Sequence, residues 1–325
     1  MDTLIEFVGI FLALMSIELI YFKIANKYNI IDKPNLRSSH SSITLRGGGI
    51  IFYFGALAYF FYSGFQYPFF FLGLTLMSLV SFLDDILTLS NKIRLMVHFG
   101  SVLLLAYQLS IFSLQWYFLL IAFIVVVGVI NAYNFMDGIN GMTGCYSLAI
   151  GALLTLVNME INFIDQRLIN YSVIGLLVFL IFNFRSNAKT FAGDVGAISI
   201  AYIFLFCLGT LIIKSGNFIY ILFLSVYGID AVWTILRRLH LNENIFEAHR
   251  SHLYQFLGNE AKVNKLGVSF SYGLIQVLIG LLVIYFSNYN KLIQIVFSVV
   301  LLLVMSIIYL VIKRSIINKY LIKKN

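Results

Sequence analysis

Residues 68–80 read PFFFLGLTLMSLV, without a charge, and runs of this kind recur along the chain. A helix needs about 20 mostly apolar residues to cross the hydrocarbon core of a bilayer. Eleven segments meet that need, roughly 4–24, 47–64, 67–83, 95–112, 116–136, 142–159, 168–184, 196–213, 217–236, 266–287 and 291–312. Only 11% of the 325 residues are charged, against about 25% in soluble domains. The chain cannot hide so much apolar surface in its own interior, so lipid must be its solvent. The predicted fold class is an all-α polytopic integral membrane protein with 10–11 transmembrane helices, a single domain over 1–325. The first run follows an acidic start, MDTLIEFVG, and lacks a small-residue cleavage site, so it reads as a spanning helix. Cys145 and Cys207 lie within apolar runs, which allows at most one disulfide.

Orientation follows from lysine and arginine. All but three of the 22 fall in one set of loops or the C-terminal tail; the exceptions are Arg167, Lys214 and Lys291. That set is predicted to be cytoplasmic, with the N-terminus outside and the C-terminus inside. The net charge of +8 is then a topological signal, and nucleic acid is not expected as a partner.

Five inner segments carry the unusual residues. The first, DKPNLRSSHSSITLRGGG (32–49), offers Arg37, His40 and Arg46 as donors, with Gly47–Gly49 allowing close backbone approach to a phosphate. It reads equally as a solvated basic loop attracted to anionic lipid. The second, SFLDDILTLSNKIRL (81–95), ends a span on Asp84 and Asp85. Two adjacent carboxylates at a helix C-terminus repel each other and oppose the dipole, so they imply a cation or a reaction.

The third, INAYNFMDGINGMTG (130–144), spaces Asn131, Asn134, Asp137 and Asn140 by three and so predicts one shared helix side. Amides both donate and accept, which suits the edge of a heterocycle, although they also serve as glue between membrane helices. The fourth, NFRSNAKTFAGDVGA (183–197), places Asp194 at a helix start, as a cap or a Mg²⁺ ligand. Phe191 could stack on a base or anchor at the interface. The fifth, DAVWTILRRLHLNENIFEAHRSHLYQ (230–255), clusters His249, Arg250 and His252. Zinc with His240 has no familiar spacing there, and a cationic clamp on phosphates fits better. Asp230 is expected to pair with Arg237 or Arg238. His98, one turn into the fourth span, reads as a satisfied polar residue.

Taken together, FLDDILTLS, NAYNFMDGINGM, FAGDVGA and AHRSHLYQ resemble the polyprenyl-phosphate N-acetylhexosamine-1-phosphate transferases, over Asp32 to Gln255 and in the same order. DAVWTILRR followed by AHRSHLYQ is similar to the branch that initiates O-antigen. Leu45, Asn140 and Phe256 depart from the pattern, which would have proline, aspartate and arginine there.

The resemblance implies an enzyme of a bacterial inner membrane with its site on cytoplasmic loops. Undecaprenyl phosphate would attack the β-phosphorus of a UDP-N-acetyl amino sugar, releasing UMP and starting a cell-surface polysaccharide. It implies Mg²⁺, with Mn²⁺ as a substitute, and is compatible with a homodimer. Asp84, Asp85 and Asp137 are the implied catalytic residues and Asp194 the metal ligand. Asn131, Asn134, Asn140 and Phe191 are assigned to the nucleotide side. Arg37, His40, Arg46, His249, Arg250 and His252 are assigned to phosphates and sugar. The sugar is left open among N-acetylglucosamine, N-acetylgalactosamine, N-acetylfucosamine and N-acetylquinovosamine. The rival readings are a transporter of a phosphorylated or acidic solute and a structural subunit of a glycan-assembly complex. A transporter would place charge near the midplane on repeated halves; only Glu18 and Asp230 lie well inside spans, away from their ends, and no repeat is visible.

Overall fold

A computed structural model describes residues 2–34, 43–87, 89–244 and 250–320; Arg37, His40 and His249 lie outside these. The described chain is almost entirely helical, because lipid leaves no partner for backbone N–H and C=O groups except the helix itself. Its helices are α1 (Asp2–Lys27), α2 (Ile50–Tyr62), α3 (Pro68–Leu87), α4 (Asn91–Gln108), α5 (Trp116–Met136) and α6 (Met142–Ile161). They continue with α7 (Gln166–Asn183), α8 (Gly193–Ser215), α9 (Ser225–His240), α10 (Leu253–Gln255), α11 (Lys265–Ser287) and α12 (Lys291–Tyr320). Two short strands, β1 (Ile31–Asp32) and β2 (Thr44–Leu45), pair antiparallel with Ile31 opposite Leu45.

Each of the eleven predicted runs is helical, and the protein is a multi-pass membrane protein. Nine helical stretches among the described residues are long and apolar enough to cross a bilayer. The other two runs fall short for different reasons. α2 has 13 residues, a length of about 20 Å at 1.5 Å per residue. α4 has 18 residues but opens on Asn91, Lys92 and Arg94.

α8 lies at the centre, packed against α2, α3, α5 and α6, and is buried nearly continuously from Val195 to Leu208. The stretch before α9 is a 3-10 turn, Phe218–Leu224, so the predicted span at 217–236 is a broken helix. Gln276 of α11 satisfies the break. Its Oε1 accepts the Val226 amide at 3.1 Å and the Tyr146 hydroxyl at 3.0 Å, while its Nε2 donates to Leu222 O at 3.1 Å. Non-helical backbone is tolerated at membrane depth only when protein supplies such partners. Both cysteines are free.

Candidate active site

The α3–α4 turn, the β2–α2 loop and the start of α8 meet in one chain of charges. Arg46 Nε lies 2.7 Å from Asp85 Oδ1, and its Nη2 lies 3.3 Å from Asp194 Oδ1. Arg94 Nη1 lies 2.8 Å from Asp84 Oδ2, and its Nη2 lies 3.7 Å from Asp194 Oδ2. Two guanidiniums thus link three carboxylates, with Asp194 shared between them. Burial disfavours the Arg46 charge, but Asp85, Asp194 and Asp32 outweigh it and hold its pKa above the ordinary value.

The adjacent aspartates diverge, which removes their mutual repulsion. Asp84 turns to the loop, accepting the Leu89 amide at 2.7 Å. The Asp85 side chain is fully buried and accepts the amides of Asp194 and Val195, each at 3.2 Å. These are unpaired donors of the first turn of α8, so Asp85, rather than Asp194, satisfies that helix end. Gly193 enables the approach with a left-handed φ of +69°; a Cβ there would lie 2.6 Å from Asp85 Oδ2.

Gly48 and Gly49 do not cradle a phosphate as expected. Their amides donate to Phe191 O at 2.9 Å and Ala192 O at 3.1 Å. A Cβ on Gly49 would stand 2.4 Å from the Gly196 Cα, so Gly49 lets α2 and α8 touch, while a Cβ on Gly48 would collide with the Thr190 side chain. The Phe191 amide in turn donates to Leu45 O at 2.8 Å, which fixes this half-buried residue beside Arg46.

The third segment is not one helix side. α5 ends at Met136, and Gly141, at φ +83°, starts α6. Even in an unbroken helix, Asn131 and Asn140 would be about two and a half turns apart and on opposite sides. Asn131 is exposed and donates to Val127 O at 2.8 Å, away from the charged cluster. Asn140 donates to Arg185 O at 2.7 Å and Ser186 O at 3.1 Å, which ties this turn to the loop before α8. Asn134 is half-buried on the last turn of α5. Asp137 accepts the Thr143 hydroxyl at 2.7 Å. Burial pushes its carboxyl up to about 6; Thr143 opposes the shift and Asp194 adds to it.

The fifth segment docks on the third. Tyr254 donates to Phe135 O at 2.9 Å, and a Cβ on Gly138 would collide with its hydroxyl. The anchor is Asp230, which pairs with this loop and not with Arg237 or Arg238. It accepts the Leu253 amide at 3.0 Å, the Tyr272 hydroxyl at 2.8 Å and the Tyr309 hydroxyl at 3.1 Å, and it lies 3.3 Å from His252 Nδ1. Arg238 instead pairs with Glu243 at 3.2 Å. His252 is therefore a buried tie, with Arg250 half-buried beside it.

Arg94, Thr143, Tyr254 and Asp230's role as anchor are site features that sequence reasoning did not select. Only Arg94 left a signal, as an arginine soon after the aspartate pair. Asp84, Asp85, Asp194 and Asp137 each offer carboxylate oxygens, the ligands that hard cations take. No three His, Cys, Asp or Glu side chains among the described residues stand close enough to hold an ion alone.

Residues 67–215 match the model of glycosyl transferase family 4. The chain is 25% identical to a probable undecaprenyl-phosphate N-acetylglucosaminyl 1-phosphate transferase of Bacillus subtilis, over 78% of this chain and 76% of that protein. It is 28% identical to an undecaprenyl-phosphate alpha-N-acetylglucosaminyl 1-phosphate transferase of Thermotoga maritima, over 76% and 80%. A phospho-N-acetylmuramoyl-pentapeptide-transferase of Thermotoga maritima is 27% identical over 51% and 59%. The matched region holds Asp84, Asp85, Asp137 and Asp194, while Arg46 and the 250–255 loop reach the site from outside it. Through these residues the chain is similar to glycosyl transferase family 4 and to undecaprenyl-phosphate N-acetylglucosaminyl 1-phosphate transferases.

Proposed function

We propose that the protein transfers an N-acetylated amino-sugar 1-phosphate from a UDP-sugar to undecaprenyl phosphate, releasing UMP, at the cytoplasmic face of a bacterial inner membrane. The observation that carries this reading is the linked set Asp85–Arg46–Asp194–Arg94–Asp84 at the start of α8. It gathers opposite charges from three separate segments beside Asp137. The names of the relatives above support undecaprenyl phosphate as acceptor and an N-acetylglucosaminyl 1-phosphate as the kind of group moved.

In the reaction, an oxygen of the acceptor phosphate forms a bond to the β-phosphorus, and the bond from that phosphorus to the UMP oxygen breaks. One phosphoanhydride replaces another, so catalysis is positioning plus neutralisation of charge. The acceptor needs little help to ionise, since a phosphate's second pKa lies near 6. That relieves the aspartates of a general-base task, and Asp85 is in any case committed to two amides and Arg46. Its role is to hold the start of α8 and Arg46 in register. Arg46 and Arg94 balance the carboxylates until phosphates arrive, and then share their charge. The carboxylates fit Mg²⁺, with Mn²⁺ as a substitute, which Asp194 with Asp84 would hold, because Mg²⁺ takes one or two carboxylates plus substrate phosphates. When bound, that ion neutralises negative charge on the transferring phosphates. Phe191 and Asn134 face the nucleotide, and the loop at 250–255 covers the diphosphate and sugar.

The test uses purified protein with undecaprenyl phosphate, MgCl₂ and a panel of UDP-N-acetyl sugars. UMP release from one sugar, abolished by EDTA and by Asp194→Asn, is the expected result. Folded protein that releases no UMP from any of them would overturn the reading.

A further inference from the structure

α4 presents one inward stripe, Arg94, His98, Ser101, Val102 and Leu105, while most of its other residues are exposed. Arg94 at the head of that stripe holds Asp84 and reaches Asp194. The α3–α4 hairpin has a fixed antiparallel register. Arg94 meets Asp84 at one end, and Gln108 Oε1 accepts the Phe69 and Phe70 amides at 3.1 and 3.3 Å at the other. His98 is therefore level with Ser81, one turn below the aspartate pair on the membrane side.

His98 is not the satisfied residue its sequence position suggested. Its Nε2 is buried with no hydrogen-bond partner among the described residues, and the same holds for Ser81 Oγ and Ser101 Oγ. Buried polar atoms without partners are uncommon in folded proteins and call for water or a ligand. Asp84, Asp194 and Arg94 all act on the imidazole electrostatically, so it borders the charged cluster. One layer deeper the hairpin is closed against α8, by the Tyr202 hydroxyl on Ser101 O at 2.7 Å and by Ser78 with Ser199 at 2.7 Å.

We infer that His98 binds the acceptor, donating a hydrogen bond from Nε2 to the phosphate of the polyprenyl lipid from its membrane side, with Ser81 as a second donor. This rests on the reading proposed above. A lipid phosphate reaches the cluster from the bilayer, whereas a nucleotide reaches it from water. A donor one turn into the membrane therefore discriminates between them by depth.

The experiment measures equilibrium binding of undecaprenyl phosphate, undecaprenol and UMP to the full-length protein in detergent. Wild type should bind the phosphorylated lipid more tightly than the alcohol. His98→Phe should weaken phospholipid binding about tenfold, the worth of one charge-assisted hydrogen bond, and leave undecaprenol and UMP unchanged. His98→Gln, whose amide nitrogen sits near the place of Nε2, should recover most of the loss. Equal affinity of His98→Phe and wild type for the phosphorylated lipid would overturn the inference. So would a wild type that does not distinguish phosphate from alcohol, or a loss shared with UMP. If lipid binding depends on His98 but no UDP-sugar yields UMP, the transferase reading fails and this one stands.

Discussion

Asp85 accepts the backbone amide of Asp194 at 3.2 Å, and the two carboxylates also meet on one guanidinium, that of Arg46. The pair is asymmetric: Asp85 supports the helix on which Asp194 is carried. Asp85→Ala should therefore lower stability by about 1–3 kcal/mol, the cost of leaving buried donors unpaired, and reduce UMP release at least a hundredfold. Asp194→Asn should abolish turnover with its unfolding temperature nearly unchanged. Thermal unfolding in detergent, run beside the turnover assay, checks both; equal destabilisation by the two variants would contradict the asymmetry.

Asp137 gives the pH profile an acid limb. Its carboxyl is raised to about 6 by burial, so kcat/KM for the UDP-sugar should climb between pH 5 and 7 as it ionises. The acceptor phosphate titrates in the same range, and Thr143 separates the two contributions. The Thr143 hydroxyl favours the ionised carboxylate, so Thr143→Val should move the limb to higher pH without touching the lipid. A limb that stays in place would assign it to the phosphate. Asp137's own contribution to stability has the opposite sign: it is fully present below about pH 4, where the carboxyl is neutral in both states, and is lost as pH rises through 6.

Gly49→Ala should be among the most damaging small substitutions. The new methyl would lie 2.4 Å from the Gly196 Cα, and backbone cannot step aside as a side chain can. Overpacking of this kind costs about 1–3 kcal/mol, occasionally more. Gly100→Ala is the control, since nothing lies within 4 Å of its added Cβ. Comparison of their unfolding temperatures in the same detergent checks the contrast.

A reporter fused after Asn325 should be active only on the cytoplasmic side. The prediction follows from the lysine and arginine bias, in which only Arg167, Lys214 and Lys291 fall on the opposite side. A periplasmic signal would mean an even number of crossings, with α2 at 13 residues the first segment to re-examine.

The helices were legible because lipid imposes one rule on every apolar run. The site segments were legible because Asp84, Asp85, Asp137 and Asp194 stand out in a chain with so little charge. Their partners were not, since pairing is set by packing between distant helices. Asp230 looked nearest to Arg237 along its own helix, yet its tyrosine donors come from α11 and α12. Tyr254, Tyr272 and Tyr309 are three among 20 tyrosines, with no local pattern to mark them. The spacing of Asn131 to Asn140 misled because the helix ends between them at Met136. The triple glycine suggested a ligand where it serves close packing, with Gly47 against Tyr21, Gly48 against Thr190 and Gly49 against Gly196 of α8.

Tyr309 of α12 is one of the hydroxyls that hold Asp230, and Asp230 fixes the loop that docks beside Asp137. The order of synthesis therefore matters. A nascent chain already inserted as far as α11 has all four site aspartates but lacks this clasp on its loop. The loop is fully fastened only after α12 has left the ribosome and entered the bilayer, so assembly of the site is timed by a helix made well after the four aspartates.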